Sequence, residues 1–342
     1  MSKQGIYGRK KRVLVTGLGG FAGSHFLEHA LTKTNWEIVG LASFRSRGVP
    51  ERITDSVHYQ ANKDRVYIYT HDLNAPLSHI LKRRIGKVDY VVNYASDSHV
   101  DRSIDNPVPF VTNNVALALN ILEYVREAKP DVFLHVGTDE EFGPAPDATS
   151  HKEWDPALPS NPYSASKAAQ TAIATSYWRT YDVPVVLTQT MNLIGERQDT
   201  EKFVPMCIKQ IAAGRTVSIH GTRRDVGSRY YLHARNQADA ILYILGKLPP
   251  KEYPKTDRPD RYNIVGEREV DNLAMAKLIA KIVGKPLKYK LVDFQAARPG
   301  HDRRYALDGT KLAKLGWTPP MDFEESVRRL VTWTLANPQW LR

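Results

Sequence analysis

Short β-branched apolar runs alternate along the first half of the chain with stretches whose apolar positions recur at helical spacing. The runs lie at 12–16, 37–42, 66–70, 90–94, 132–136 and 183–190, and the helical patterns at 21–32, 111–127 and 164–181. Strands spaced by helices imply right-handed crossovers, which predicts an α/β fold with a doubly wound parallel sheet of the Rossmann type. After Asn192 the texture changes to Pro-, Gly- and Arg-containing loops with helices predicted over 203–213, 234–248, 272–283 and 324–337. The proline- and charge-rich stretch 249–261 reads as a surface loop. Three segments are expected: a basic tail over 1–12, a large α/β unit over 13–192, and a smaller mixed region over 193–342, some of whose chain crosses back to the sheet.

Composition narrows the class. With 342 residues, 42% of them hydrophobic, the chain can bury a sizeable core, which argues against disorder. Its single cysteine, Cys207, cannot form an internal disulfide. No apolar run is long enough to span a membrane, and residues 1–12 lack the apolar core of a signal peptide, so a soluble, cytoplasmic protein is expected. The net charge of +11 is compatible with nucleic acid, an anionic surface or small acidic ligands. Five of the basic residues, Lys3, Arg9, Lys10, Lys11 and Arg12, sit in the first 12 positions with no acid among them, so nucleic acid is not the favoured partner.

Gly17, Gly20 and Gly23 follow the first predicted strand within Thr16-Gly-Leu-Gly-Gly-Phe-Ala-Gly-Ser-His25. Glycines are needed there because the chain must turn tightly and bring backbone N–H groups to a pyrophosphate at a helix N-terminus. A dinucleotide site is therefore expected, with Phe21, which opens the helix, as part of it. The acid that usually ends the second strand of an NAD site is missing; Arg45 and Arg47 stand nearby and could instead meet a 2′-phosphate. NAD and NADP both remain open. Asp72 and Leu73, after the third strand, are the expected adenine contacts.

Tyr163 and Lys167 form a Tyr-x-x-x-Lys pair that shares one helix face. The spacing recurs at Tyr7/Lys11, Tyr59/Lys63 and Tyr243/Lys247, but only the 163/167 pair lies in a Pro-Tyr-Ser-Ala-Ser-Lys helix start beyond the fifth strand. A nearby ammonium, with a positive nicotinamide, is expected to bring the phenol from its ordinary pKa of ~10 towards neutrality, so that it can take a hydroxyl proton. His25 and His29 have metal-ligand spacing on one helix face but no third ligand, and no metal is expected.

These residues carry a resemblance that covers nearly the whole chain. The segment Thr16 to His25, Ser98-His-Val-Asp-Arg-Ser-Ile-Asp105, Thr138-Asp-Glu140, Asn161-Pro-Tyr-Ser-Ala-Ser-Lys167, Glu201-Lys-Phe-Val-Pro205, Tyr262-Asn-Ile264 and Arg298-Pro-Gly-His-Asp-Arg-Arg-Tyr-Ala306 occur in that order. Together they resemble the extended short-chain dehydrogenase/reductase family and, within it, the dTDP-glucose 4,6-dehydratases. The glycine and Tyr/Lys motifs are shared with epimerases, decarboxylases and reductases, whereas Thr138-Asp139-Glu140 is more specific. The resemblance implies a tightly bound NAD or NADP regenerated within each cycle, and a nucleotide-diphosphate sugar as substrate. It also implies a homodimer paired through the helices at 111–127 and 164–181.

The resemblance further assigns roles. Oxidising carbon 4 of a hexose acidifies the proton on carbon 5, and elimination then needs a base for that proton and an acid for the hydroxyl leaving carbon 6. Glu140 would be the base and Asp139 the acid, with Thr138 bonded to the carbon 4 oxygen beside Tyr163. Ser98, His99, Asn192, Lys202, Arg229 and Asn263 fall where such enzymes hold the sugar nucleotide, with Arg298 and His301 nearby; Arg suits a diphosphate through its planar fork. Several positions depart from the pattern: Gly137 for Ser, Glu141 for an apolar residue, Phe142 for Tyr, Asp97 for Glu, and Leu193 for Asn. Glu141 would raise its neighbours' pKa values if it faced them, or else point outward. The competing readings are an epimerase or decarboxylase on the same fold, and a non-catalytic dinucleotide-binding regulator that contacts nucleic acid.

Overall fold

The computed structural model describes residues 10–45, 48–222, 225–247, 249–292 and 304–342. Its strands in chain order are β1 (Arg12–Thr16), β2 (Glu37–Ala42), β3 (Val66–Thr70), β4 (Tyr90–Asn93), β5 (Val132–Thr138), β6 (Val185–Thr190), β7 (Asn192–Ile194), β8 (Val217–Thr222), β9 (Asp225–Val226), β10 (Ser228–His233), β11 (Asp260–Ile264), β12 (Glu269–Asp271) and β13 (Tyr289–Val292). Seven of them form one sheet in the order β11-β6-β5-β4-β1-β2-β3, and every pairing in it is parallel. The order reverses between β1 and β4. That switch point is where the crossovers leave to opposite faces and a crevice opens beyond the strand ends.

Alternation along each strand sends side chains to both faces, and both are covered. Val13, Val15, Ile38 and Leu134 pack on one side with Phe26, Leu27 and Ile241 from the helices Phe21–Lys33 and Ala234–Lys247. Leu14, Val39, Val91 and Phe133 face Ile121 and Trp178 from the helices Pro107–Ala128 and Pro162–Tyr181 on the other. A third core gathers Ile194, Cys207, Ile219, Met275 and Val327 beneath two three-stranded sheets, β12-β10-β7 and β13-β8-β9. These small sheets escaped the sequence reading because their strands are short or carry mixed polarity.

β11 corrects the expected loop at 249–261, since Asp260 and Arg261 already belong to a wholly buried strand. Its polar residues disguised it. Asp260 faces Lys251 and Lys311, Arg261 faces Glu141, and Asn263 donates to the carbonyls of His151 and Asp308. The end of the segment assigned to a basic tail is also engaged: Lys10 pairs with Glu37, Lys11 with Asp89 and Asp131, and Arg12 opens β1 while pairing with Glu37. Among the described residues no helix is long and apolar enough to cross a membrane.

Candidate active site

Two clefts meet beyond the C-terminal ends of the central strands. The larger, about 500 Å³, is lined by Gly17, Gly20, Phe21, Arg45, Asp72, Leu73 and Ser98 among others. The smaller, about 200 Å³, is lined by Glu140, Asn192, Arg229 and Tyr305. His99, Glu201 and Lys202 line both. His99 Nε2 lies 3.1 Å from Glu201 Oε1, and Lys202 Nζ donates to the Ser98 carbonyl at 3.2 Å, so the segments on the two sides are tied across the shared wall.

The larger cleft has the form a dinucleotide requires. Gly17 turns the chain at φ +66°, and a Cβ there would meet Ala95 N at 3.0 Å. Gly23 does not line the cleft; a Cβ on it would lie 2.4 Å from the Gly17 carbonyl oxygen, so it lets the helix approach the strand. At the far end Arg45 pairs with Asp72 at 2.6 Å. Arg47, Arg298 and His301 lie outside the described residues. Asn263 is drawn away from the predicted sugar-nucleotide set: it is buried in β11, lines neither cleft, and gives its amide to two carbonyls.

β5 runs directly into a 3-10 turn, Asp139–Phe142, which presents the acids. The turn is closed by a reciprocal cap: the Thr138 hydroxyl accepts from Glu140 N–H at 3.4 Å, and Glu141 Oε1 accepts from Thr138 N–H at 3.2 Å. Thr138 also donates to Asp139 Oδ1 at 3.0 Å. Asp139 is buried, and its Oδ2 has no hydrogen-bond partner among the described residues. Burial, reinforced by the neighbouring Glu140 charge, pushes its carboxyl up to about 8, which keeps it protonated at neutral pH. Glu140 is half-buried, accepts from Ser164 Oγ at 3.3 Å and Tyr305 OH at 3.5 Å, and faces the smaller cleft.

Tyr163 and Lys167 are both buried and line neither cleft. Tyr163 touches both surroundings, edge-on to Phe110 of the larger cleft at 6.2 Å and hydrogen-bonded to Thr138 of the acidic turn. The expected lowering of its phenol by Lys167 is not present in the protein alone. Burial, with Glu140 and Asp139, pushes Tyr163 well above its ordinary range. The Lys167 ammonium is engaged by the Val136 carbonyl and Gln170 Oε1, each at 2.8 Å, and burial brings it down to about 8. His25 and His29 diverge, His25 to Glu196 and His29 to Asp239.

Glu141 turns inward. It is fully buried, 3.3 Å from Arg261 Nη2, and accepts from Gln189 Nε2 at 2.7 Å. Sequence reasoning overlooked Glu201 and Tyr305 as lining residues, although both lie in quoted segments; Arg229 stacks over the Tyr305 ring at 4.7 Å. Their signal was proximity in sequence to Lys202 and Arg298.

Residues 14–330 match a family described as GDP-mannose 4,6 dehydratase. The chain is 32% identical to a dTDP-glucose 4,6-dehydratase of Xanthomonas campestris pv. campestris, over 96% of this chain and 94% of that one. Among solved structures it is similar to DesIV of Streptomyces venezuelae, a dTDP-glucose 4,6-dehydratase with NAD bound, at a TM-score of 0.85 and 30% identity over 97% of this chain and all of that one. It is also similar to a Thermus thermophilus UDP-glucose 4-epimerase in complex with NAD, at a TM-score of 0.81 and 26% identity over 94% of this chain and 98% of that one.

Proposed function

Since the chain belongs to the GDP-mannose 4,6-dehydratase family, within the extended short-chain dehydrogenases/reductases, we propose that it removes water from a nucleotide-diphosphate hexose to give the 4-keto-6-deoxy sugar. The observation that carries this reading is Asp139: a buried carboxylic acid, held protonated, with one oxygen unengaged, next to a cleft-facing carboxylate at Glu140. An epimerase has no need of such a pair.

The roles follow from the chemistry. Tyr163, bonded to Thr138, is raised in the protein alone, and the positive nicotinamide of a bound dinucleotide would favour its phenolate, which could then take the proton of the 4-hydroxyl as carbon 4 is oxidised. Glu140 removes the carbon 5 proton, made acidic by the new ketone. Asp139 gives its proton to the departing 6-hydroxyl, so one water leaves. NAD, when bound, would supply the two-electron acceptor, so that the hydride leaving carbon 4 could return to carbon 6 while Glu140 gives its proton back to carbon 5. Lys202 and Arg229, which line the smaller cleft with Asn192, hold the diphosphate as cationic donors, and the Asn192 amide N–H adds a neutral one. Arg45 is already neutralised by Asp72, which supports NAD over its 2′-phosphorylated form. A homodimer through Pro107–Ala128 and Pro162–Tyr181 belongs to the same reading, and sedimentation tests it.

Incubation with dTDP-, UDP-, GDP- and CDP-hexoses tests the activity. A 4-keto-6-deoxy product absorbing in alkali is expected from at least one. Recovery of an epimer alone from every active substrate would replace this reading with an epimerase.

A further inference from the structure

We propose that Glu141 is the positioning residue of the acidic turn: its buried carboxylate caps the turn that aims Asp139 and Glu140, and holds a negative charge near the Lys167 ammonium. The proposal rests on the dehydratase reading above, and it assigns work to a residue that does not touch substrate.

Three donors converge on this one side chain. Thr138 N–H reaches Oε1, while Gln189 Nε2 and Arg261 Nη2 approach Oε2. Burial raises the Glu141 pKa, while the Arg261 and Lys167 cations and the converging donors oppose that rise and favour the carboxylate. The cap fixes the backbone at Thr138, from which Asp139 and Glu140 follow directly. Gly137 belongs to the same arrangement, since a Cβ there would lie 1.8 Å from Gln189 Oε1 and 2.5 Å from Glu141 Oε1. Space for the carboxylate and its amide partner is thus made by the missing side chain one residue before the cap.

The charged and titratable groups around Glu141 come from four elements. Arg261 approaches from β11, Lys167 and Tyr163 from the Pro162–Tyr181 helix, His135 from β5 near Lys167, and Asp139 and Glu140 share its turn. Burial keeps His135 neutral, so Glu141 is the acid whose charge favours the Lys167 ammonium.

The test compares purified Glu141→Gln, Glu141→Val and Glu141→Val/Arg261→Met with the wild-type enzyme on its best nucleotide hexose. An amide has one acceptor atom and cannot satisfy three donors, so Glu141→Gln is expected to lower kcat about 100-fold with KM unchanged, as for a misplaced catalytic group. Its alkaline limb in kcat should move to lower pH, because losing the negative charge lowers the Lys167 pKa. Glu141→Val strands Arg261 and should lose melting temperature; the double variant removes both charges and should regain it, with kcat still low. A double variant that recovers wild-type kcat, or a Glu141→Gln enzyme with unchanged kcat and pH profile, overturns the proposal. A wild-type enzyme that makes no 4-keto product from any hexose overturns the dehydratase reading instead.

Discussion

The Glu28 carboxylate lies 2.9 Å from the Arg197 guanidinium, both side chains are buried, and Arg197 holds the left-handed backbone region at φ +63°. The pair joins the Phe21–Lys33 helix to the loop that carries Glu201 and Lys202 to the clefts. Arg52 fastens the same loop through the Arg197 carbonyl and Asp199. An unfavourable backbone conformation is thus held in place by charge.

Glu28→Gln should therefore cost about 3–5 kcal/mol at pH 7, because Arg197 loses its counter-charge in a buried place. Burial alone would raise the Glu28 pKa, but Arg197 outweighs it and brings it to about 2. A depressed carboxyl pKa stabilises the fold above the unfolded value of about 4.3 and loses that contribution as pH falls towards 2. Urea unfolding at pH 7 and at pH 3 should show the gap between the two proteins narrowing in acid.

Asp139→Asn should move activity and stability in opposite directions. Turnover should fall about 100-fold or more with loss of the general acid, read from the alkali-absorbing product. The folded pKa of about 8 exceeds the unfolded value, so between roughly pH 4 and 8 the native state retains a proton that the unfolded chain has released. The carboxyl then weakens the fold progressively as pH rises through that window. The variant should gain on the order of a few kcal/mol at pH 8 and nothing at pH 4, measured by denaturant melts. Equal stability of the two proteins at pH 8 would contradict the buried, protonated assignment.

Gly137→Ser should destabilise the protein by about 1–3 kcal/mol, the cost of overpacking a filled interior. Turnover should drop with it, since the clash falls on Gln189 and Glu141 beneath the acidic turn. Adding Gln189→Ala removes the nearer obstacle and should recover most of the melting temperature. No recovery would mean that the backbone, and not space, demands glycine there.

Asp72→Asn releases Arg45 from its ion pair at the rim of the larger cleft. The freed guanidinium suits a 2′-phosphate, so NADP affinity should rise relative to NAD in calorimetric titration. An unchanged ratio would remove Arg45 from the question of cofactor choice.

Much of this architecture was legible from residue order because the central strands are apolar on both faces, and the glycine turn and the Pro162–Tyr163 helix start have few alternative uses. Legibility failed where polar residues are paired inside the protein. Asp260 and Arg261 made the start of a buried strand look like the end of a surface loop, and the partner of Arg261, Glu141, is far away in sequence. Glu141 posed the same difficulty: its neighbours suggested a crowd of three acids, while its actual partners, Gln189 and Arg261, lie 48 and 120 positions on. The state of Tyr163 depended on burial that spacing does not record.

His99, Glu201 and Lys202 border both clefts at once. A ligand that orders this common wall from one side lowers the entropy that the other ligand must lose, so the two affinities become reciprocal: each molecule tightens the other by the same factor. Nucleotide affinity measured with and without saturating dinucleotide should show that equality, and Glu201→Gln should weaken it without removing either binding event. The enzyme would then favour the ternary state in which the reaction can proceed.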